Sequence, residues 1–484
     1  MKCDARTGRR RGARMGTISS AFSLITQALN ADQSALSIVA NNVANANTTG
    51  YTREVPNWQE NQPIMIGGVS YGAGVTQTGA TSVRDNVLEK RLIQQQQLAS
   101  SSGARLTALN AVQALFTPAS GSAGSTAGDI GTDLTSFFSS FSSLEGNPSD
   151  NSRRQQVLSS AATLAGDVSN AAAGLNVQRA ALGQDATAVT SQVNALTSAI
   201  AQLDPQIEAA STTPGAGTLE DLRQQDIGQL SQLIGINQIT IDGTGLSITT
   251  TAGQLLVSKG SSFQLTSGTV SGSTHFFVGT TDVTSELADG GGQLGGYLTA
   301  RDGDIPSVLG SLDQLAYSVS TQVNALNNAG SDLSGNNVNP GNIFTQPTQV
   351  VGSAAQMSVE MTDPNHIAAA GSGQGAGDNS NAMAIANLAN RQIVNGQKPT
   401  DFFSNFVTSL GATIAGVEAD NTAQNASVTQ LQSQESALST VNLNDEAAFM
   451  QQFERSYQAA SQVFTMLDKI MASALNLGES TAVS

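Results

Sequence analysis

The sequence predicts a mainly α-helical protein with a small inserted β module, and three patterns support this prediction. Apolar residues recur at helical spacing at both ends of the 484-residue chain. A heptad pattern in the interior is typical of a long helix. From Ile236 to about Ser285 the spacing changes to the alternation that is typical of strands. We expect the terminal helices to pair as a coiled coil, long helical rods to form the next domain, and a small antiparallel β domain to lie outermost.

The composition restricts the classes of function. Only 12% of the residues are charged and 4% are aromatic, so the surface is rich in small uncharged groups that suit contacts with other copies, although a bland globular protein shares this feature. The net charge of −16 argues against nucleic acid as a partner, because phosphate binding needs clustered Lys and Arg. No stretch is apolar and long enough for a membrane span, so no membrane partner is expected.

Residues 1–14 differ from the rest of the chain. Six of the 21 basic residues lie there, and they are Lys2, Arg6, Arg9, Arg10, Arg11 and Arg14. One interpretation is an arm for nucleic acid or anionic membrane; the other, which we adopt, is that translation starts at Met15 and the extension is not native. The one cysteine, Cys3, also lies there. The stretch from Ser19 to Gln33 is too polar for a cleavable secretory signal.

The first helix is expected to carry a narrow apolar stripe from residue 15 onward. Its members, spaced by four and three, are Ile18, Phe22, Ile25, Leu29, Leu36, Val39 and Val43, with Asp32 in one of the stripe positions. Asp32 is also the one charged residue between Met15 and Gly50. A solvated amphipathic helix normally carries Lys and Glu on its outer face, so this helix is better suited to being surrounded by other helices.

The last helix has a matching stripe. Its members are Met450, Phe453, Tyr457, Ala460, Phe464, Leu467, Met471 and Ala474. Asn444 is the expected helix cap, with Asp445 and Glu446 in the first turn. The matching periods suggest that the two ends pair; the alternative is two ordinary amphipathic helices on separate cores.

The interior contains two expected rods. The first, about 60 residues long with Pro205 near its end, has a heptad series of Val168, Leu175, Leu182, Val189, Leu196 and Leu203. The second has Phe406, Leu410, Ile414, Val417, Val428, Leu431 and Leu438. Shorter helices are expected over 84–116, 129–144, 219–234 and 308–327, and a loop over 119–128.

The β module is expected to begin with a hairpin. Ile239 and Ile241 precede Asp242-Gly243-Thr244-Gly245, and Leu246 and Ile248 follow, which is a turn flanked by alternating apolar residues. Alternation continues to about Ser285. A second patch of alternation around Met357, Val359 and Met361 is expected to join this module.

Residues 40–53, with the sequence ANNVANANTTGYTR, carry a resemblance to a known group of proteins. They resemble the N-terminal motif of the rod, hook and hook-associated proteins of the bacterial flagellum. The motif places four asparagines among seven residues, where their amides can satisfy a helix end, and Gly50 permits the left-handed turn that follows.

Further segments, in order, resemble the hook-associated protein 1 family. They are Asn147-Pro148 with Arg154, the glycine-rich run 291–296 (GGQLGG) followed by Arg301-Asp302, Thr362-Asp363-Pro364, and residues 377–382 and 441–448. The resemblance covers residues 15–478, and on it the chain is identified as a member of this family.

The resemblance implies a structural, extracellular subunit at the hook–filament junction, exported unfolded through the flagellar type III apparatus. The implied partners are other copies of the chain, the hook protein, the next hook-associated protein, and a cytoplasmic export chaperone on the C-terminal helix. The alternative is a hook or distal rod protein of the same axial family. The expected interaction residues are Ile18, Phe22, Ile25, Leu29, Leu36, Val43, Asn41, Asn42, Asn45, Asn47, Gly50, Tyr51, Met450, Phe453, Tyr457, Phe464, Leu467 and Met471.

The implied domain organisation has three parts. Residues 15–58 and 441–484 form the inner-tube domain, 59–235 and 286–440 the long-helix rod domain, and 236–285 the inserted β domain, with 341–372 expected to associate with it.

No catalytic or cofactor-binding pattern was found, so the chain is not expected to be an enzyme. His275 and His366 have no metal-ligand spacing, and the glycine-rich segment 371–377 lacks the Lys-Ser or Lys-Thr ending of a phosphate loop. We therefore expect no catalytic residue, no cofactor and no metal.

Overall fold

A computed structural model of the chain describes residues 6–48, 50–66, 69–116, 129–210, 216–241, 245–334 and 340–479, and the side chains of these except residues 6–18, 66, 238–241 and 474–479. Helices dominate, as predicted. They are α1 Arg6–Asn45, α2 Asn86–Gln113, α3 Ile130–Glu145, α4 Asn151–Ala210, α5 Ala216–Leu233, α6 Thr284–Gly290, α7 Gly292–Thr299, α8 Ile305–Ala329, α9 Ser380–Ala386, α10 Pro399–Ser439 and α11 Leu443–Glu479.

Within the described ranges, the strands form four small antiparallel sheets. They are β1 Glu54–Glu60, β2 Ile64–Ile66, β3 Val69–Tyr71, β4 Val75–Ser82, β5 Ile236–Ile241, β6 Gly245–Thr250, β7 Leu255–Ser258, β8 Ser261–Ser262, β9 Leu265–Val270, β10 Ser273–Val278 and β11 Thr281–Asp282. β1 pairs with β4, β2 with β3, β5 to β8 form one meander, and β9 to β11 another.

The two predicted rods are present. α4 has 60 residues and contains Pro205, and α10 has 41 residues. The predicted hairpin is confirmed by the pairing of Ile241 with Gly245, although its turn at 242–244 lies outside the described residues, as does the predicted loop at 119–128. α1 begins at Arg6 and therefore extends into the basic segment.

Two hydrophobic cores lie along α4. The larger core combines α3, the first half of α4, α8 and the beginning of α10, with Phe137, Phe141 and Phe344 among its buried members. The smaller core combines the second half of α4 with α5, α7 and the strands of the β module, with Ile248 and Phe276 buried in it. The long helix thus connects the helical body to the β module.

The segment 341–372 was expected to associate with the β module, but it packs on the helical body instead. Phe344, Met357, Met361 and Ile367 are buried in the larger, helical core. The alternation around Val359 corresponds to an isolated bridge between Phe344 and Val359. The alternating apolar residues therefore belong to an irregular segment that packs on helices and not to a strand of the β module.

Strands β1 to β4 were not part of the predicted fold class. They lie between the first helix and α2, and β1 and β4 contact α1. Pro56, Asn57 and Gly79 interrupt the strand pattern of β1 and β4, so the alternation typical of strands is weak here.

The glycine-rich run 291–296 is explained by close packing of α7. A Cβ on Gly296 would lie 2.2 Å from the backbone oxygen of Ser101 in α2. Gly292 has φ +70°, and a Cβ there would lie 2.5 Å from the backbone nitrogen of Ile234. Only glycine permits these approaches.

Arg154 holds the irregular segment against the start of α4. Its guanidinium is buried and donates hydrogen bonds to the carbonyl oxygens of Pro148 (2.7 Å) and Ile367 (2.6 Å).

None of the described helices combines the length and the apolarity that crossing a bilayer requires. Among the described residues, no group of three or more His, Cys, Asp or Glu is placed to hold a metal ion.

Candidate assembly site at the joined chain ends

The two ends of the chain lie side by side, with α1 packed against α11. The rings of Phe22 and Phe464 meet edge to face with 4.5 Å between their centroids. A small cluster joins the helices further along, and it consists of Ala35, Val39 and Phe453, with Leu36 and Met450 packed against them. The structure therefore brings together the two apolar stripes that the sequence suggested would meet.

The candidate residues of α1 and the segment after it differ in burial. Ile25 and Asn42 are buried, Phe22, Leu29, Leu36, Asn41, Asn45 and Tyr51 are half-buried, and Val43, Asn47 and Gly50 are exposed. Ile18 lies in α1, but its side chain is outside the described set. The buried face includes Ala35, Ile38 and Val39, because β1 and β4 cover α1 in addition to α11.

α11 is covered on one narrow side. Of its candidate residues, Phe453 is buried, Met450, Phe464 and Leu467 are half-buried, and Tyr457 and Met471 are exposed. Beside this stripe lie Val463, Met466 and Ile470, which are 46%, 62% and 52% exposed. Val463 and Ile470 are one heptad apart, so the three side chains form a second apolar stripe, which we call the outer stripe.

Asn42 is the centre of the contact between the chain ends. It is 1% exposed, and its Nδ2 donates to the backbone oxygen of Glu54 (2.9 Å) and to Oε2 of Glu446 (3.0 Å). Its Oδ1 accepts from the backbone N–H of Glu54 (3.0 Å) and the hydroxyl of Tyr51 (2.8 Å). The amide thus uses two donors and two acceptor sites, and it joins α1, β1 and α11.

The other asparagines of the motif have local roles. Nδ2 of Asn45 donates to the backbone oxygen of Asn41 (3.1 Å) and to its Oδ1 (2.7 Å). Gly50 has φ +82°, which confirms the left-handed turn predicted there. The motif therefore ends the helix and also anchors it to the rest of the chain.

Glu446 binds a second partner in addition to Asn42. Its Oε1 lies 2.6 Å from Nε of Arg53, whose guanidinium also lies over the ring of Phe449 at 5.4 Å. The prediction of Asn444 as the cap is wrong, because α11 begins at Leu443, two residues before the start that such a cap implies. Instead, Oδ1 of Asn442 accepts the N–H of Asn444 at 3.0 Å. Glu446 does lie in the first turn, as predicted.

A charged cluster lies next to this contact. Arg84 binds Asp221 of α5 and lies 3.5 Å from Glu89 of α2, and Oδ2 of Asp221 accepts the N–H of Thr52 at 3.0 Å. Burial raises the pKa of Asp221, and the Thr52 N–H and the Arg84 charge oppose this. The cluster fixes the segment after α1 to the helical body.

Glu54 has a buried carboxylate oxygen, Oε1, without a hydrogen-bond partner among the described residues. Burial raises the pKa of Glu54, and the charges of Asp221 and Glu220 raise it further. Burial also raises the pKa of Tyr51, and the negative charge of Glu54 is the second cause of that increase.

The sequence analysis did not identify Arg53, Glu54, Arg84, Asp221 or Glu446 as site residues. Arg53 and Glu446 did lie in segments noted for their resemblance to flagellar proteins. Nothing in the spacing of these residues indicates that they meet, because Arg53 and Glu446 are 393 positions apart. Their proximity is a consequence of the tertiary fold.

The comparisons with known proteins point to one family. The model described as flagellar hook-associated protein FlgK helical domain matches residues 120–344, and that described as flagella basal body rod protein matches residues 26–52. Flagellar hook-associated protein 1 of Escherichia coli K12 is 25% identical over 95% of this chain and 100% of its own length. That of Bacillus subtilis is 26% identical over 93% of this chain and 96% of its own. Over nearly its whole length, the chain is similar to flagellar hook-associated protein 1.

A solved structure supports the fold. The flagellar hook junction protein FlgK from Burkholderia pseudomallei superimposes with a TM-score of 0.64 at 18% identity, covering 72% of this chain and 100% of that one. The rod-protein match at residues 26–52 includes Asn42 and its neighbours, so it falls on the site where the chain ends meet.

Proposed function

We propose that the chain is a structural, non-enzymatic subunit of the bacterial flagellum at the hook–filament junction, and that it acts outside the cell. The observation that carries the proposal is the apolar outer stripe of α11, formed by Val463, Met466 and Ile470, which no described part of the chain covers. Such a stripe lies beside the paired helices, where neighbouring copies would bury it. Each side chain so buried contributes about 1.5 to 3 kcal/mol.

Assembly then proceeds by coiled-coil packing of the terminal helices. An isolated pair of helices with narrow stripes buries too little area to offset the entropy of ordering it. Neighbouring copies supply the missing contacts, so polymerisation is confined to a template that already presents such helices. The candidate residues from Ile18 to Tyr51 and from Met450 to Met471 make the contacts between the terminal helices in the inner-tube domain.

The partners follow from this position in the flagellum. The subunit contacts the hook protein on one side and the next hook-associated protein on the other, and it adapts the flexible hook to the stiffer filament. It is exported unfolded through the flagellar type III apparatus. Before export, a cytoplasmic chaperone covers the apolar side chains of α11 between about Met450 and Leu475.

Deletion of the gene tests the proposal. We expect cells with hooks but no filaments, with flagellin lost to the medium, and restoration of filaments when the full chain is supplied. Cells without hooks would instead favour the alternative that the chain is a hook or distal rod protein. Purified flagella that lack the chain would contradict both.

A further inference from the structure

A cleft outside the assembly site lies between α4, the turn that joins β9 to β10, and a π-helical segment at Ala300–Asp304. Its volume is about 540 Å³, enough for a small molecule or an amino-acid side chain. Seven of the residues that line it carry polar side chains, and they are Asn176, Arg179, Gln184, Thr187, Ser273, Thr274 and Arg301. None of the described residues that line it carries a carboxylate.

Arg301 has an unused donor at this cleft. The residue is 4% exposed, and its Nε and Nη2 bind the two carboxylate oxygens of Asp302 at 2.9 and 2.6 Å. The guanidinium carbon lies 6.0 Å from the centroid of the Phe276 ring, which fixes the group from one side. Nη1 is buried and has no hydrogen-bond partner among the described residues. A buried charged donor without an acceptor is costly, so an acceptor from outside the described chain is expected.

The backbone around Arg301 directs this donor toward α4. The π-helical turn that contains Arg301 is wider than an α-turn, and such insertions are frequent at functional sites. Opposite it, α4 carries Gly183, where a Cβ would lie 3.8 Å from Nη1 of Arg301 and 3.4 Å from Oγ1 of Thr274. The missing Cβ leaves room for a ligand oxygen beside the nitrogen.

Arg179 supplies the second positive charge. It lies in α4 on the wall of the same cleft, is half-buried, and makes no ion pair with any described residue. On the other side of Arg301, Asp302 binds Arg301 itself, Asp282 binds Nδ1 of His275 at 2.6 Å, and Asp289 lines the adjoining hollow. Among the described residues that line the cleft itself, Arg179 is therefore the charged group without an ion pair.

We propose that this cleft binds an oxyanion, either a carboxylate or a phosphate, between the guanidinium groups of Arg179 and Arg301. Two guanidinium groups match the oxygens of such a group, and the amides and hydroxyls of Asn176, Gln184 and Thr274 surround it. The anion is either a small ion from solution or, if the chain assembles as proposed above, the carboxylate of an Asp or Glu from a second copy. This site is separate from the paired chain ends.

Titration calorimetry of the full chain with inorganic phosphate, and separately with succinate, tests the proposal at constant ionic strength. Arg179→Gln should weaken binding roughly tenfold or more, because a charge-assisted hydrogen bond is lost, and Arg179→Lys should retain part of the affinity. Alanine is compatible with a helix, so the Gly183→Ala protein should fold. Its added methyl group should displace the bound anion and weaken binding severalfold. The matched control is Arg391→Gln, which removes an exposed arginine elsewhere and should bind like the wild type.

Two outcomes of these titrations would overturn the proposal: wild-type protein that binds neither anion, or Arg179→Gln protein that binds as tightly as the wild type. Arg301→Gln is a secondary variant, because it removes a buried residue and its effect on folding could obscure the result. The test therefore depends on the Arg179 and Gly183 variants and not on Arg301→Gln.

A second measurement distinguishes the two sources of the anion. The reactivity of Arg179 with phenylglyoxal is compared between soluble protein and purified flagella. If phosphate protects Arg179 equally in both, the ligand is a small anion. If Arg179 is unreactive in flagella without added phosphate, the ligand is the carboxylate of a neighbouring copy. Because the titrations use unassembled protein, their failure would leave the proposed junction function untouched.

Discussion

The side-chain amide nitrogen of Asn42 lies 3.0 Å from the carboxylate of Glu446, although the two residues are 404 positions apart in the chain. This contact closes the chain on itself at the point where both terminal helices leave the body. Since Glu446 also binds Arg53, the helices are fixed to each other and to β1 through the same few side chains.

Asn42→Ala should destabilise this junction. The change removes four hydrogen bonds, namely those of the Asn42 amide to Oε2 of Glu446, to both backbone groups of Glu54 and to the Tyr51 hydroxyl, so we expect a loss of about 2 to 4 kcal/mol. Urea unfolding followed by circular dichroism measures it. The matched control is Asn47→Ala in the same motif, whose exposed side chain should contribute less than about 0.5 kcal/mol. Equal losses for the two variants would contradict the central role of Asn42.

The outer stripe should serve assembly and not the stability of the monomer. Val463→Ser combined with Ile470→Ser replaces two exposed apolar side chains, so the unfolding midpoint should change little while incorporation into flagella falls. Swimming assays and electron microscopy of complemented cells measure the effect. Gln462→Ser, at an exposed polar position of the same helix, should leave both properties unchanged. Normal filaments from the double variant would remove the main support for the proposed packing.

Amide exchange should distinguish the free subunit from the assembled one. Because the part of the terminal pair remote from Asn42 buries only a narrow stripe, we expect weak protection of residues 18–30 in soluble protein and strong protection after assembly. The heptad region of α4 provides an internal reference, since Val168 and Leu175 are buried in the larger core. Strong protection of residues 18–30 in the monomer would show that this part of the pair is ordered before assembly.

Asp133 should make the stability depend on pH. Burial raises its pKa from the ordinary value of 3.8 to about 7, helped by a hydrogen bond with Asp167 and by the charges of Asp167 and Asp129. Two carboxyl groups can share such a bond only when one holds a proton. The folded state therefore binds this proton more tightly than the unfolded state. The stabilisation is complete below about pH 4 and is lost as the pH rises to about 7.

The variant Asp133→Asn tests this pH dependence. It should reduce the fall in the urea midpoint between pH 5 and pH 8, because the amide carries no charge at either pH. Asp185→Asn, at an exposed position of α4, is the control and should leave the pH profile unchanged. An unchanged profile for Asp133→Asn would contradict the shared proton.

Arg154 and Arg153 are neighbours, but their replacement should lower the stability by very different amounts. Arg154→Ala should cost about 3 to 5 kcal/mol, because the carbonyl oxygens of Pro148 and Ile367 lose a buried charged donor. Arg153 is 43% exposed and pairs with Asp150 at 3.6 Å, so Arg153→Ala should cost less than about 1 kcal/mol. Urea unfolding of both variants measures the difference. Similar losses would show that Arg154 does not hold the segment 364–367.

Much of the helical architecture was predictable from local patterns. The heptad series from Val168 to Leu203 predicts α4 because a helix repeats its buried face regularly along the chain. The switch to alternation at Ile236 predicts the β module, because successive side chains of a strand point to opposite faces. Where residues alternate in burial without pairing as strands, as around Val359, the same pattern led to an incorrect assignment.

The assembly site was predictable only in part. The apolar stripes containing Phe22 and Phe464 indicated that the chain ends meet, since each stripe needs a partner. The residues that fix the contact were not found, with the exception of Asn42. Arg53, Glu54 and Glu446 are polar residues that periodic patterns do not mark.

The sequence by itself determined the elements: two terminal helices with matching stripes, a long heptad rod, a β module, and a motif rich in asparagine. These depend on spacing within a single segment, where each residue's burial follows from its neighbours. Only the tertiary structure decided that Asn42 reaches Glu446, that the segment 341–372 lies on the helical core, and that Arg301 keeps an unused donor beside Gly183. Such contacts join residues far apart in the chain, and their geometry depends on how whole elements pack, which local spacing does not encode.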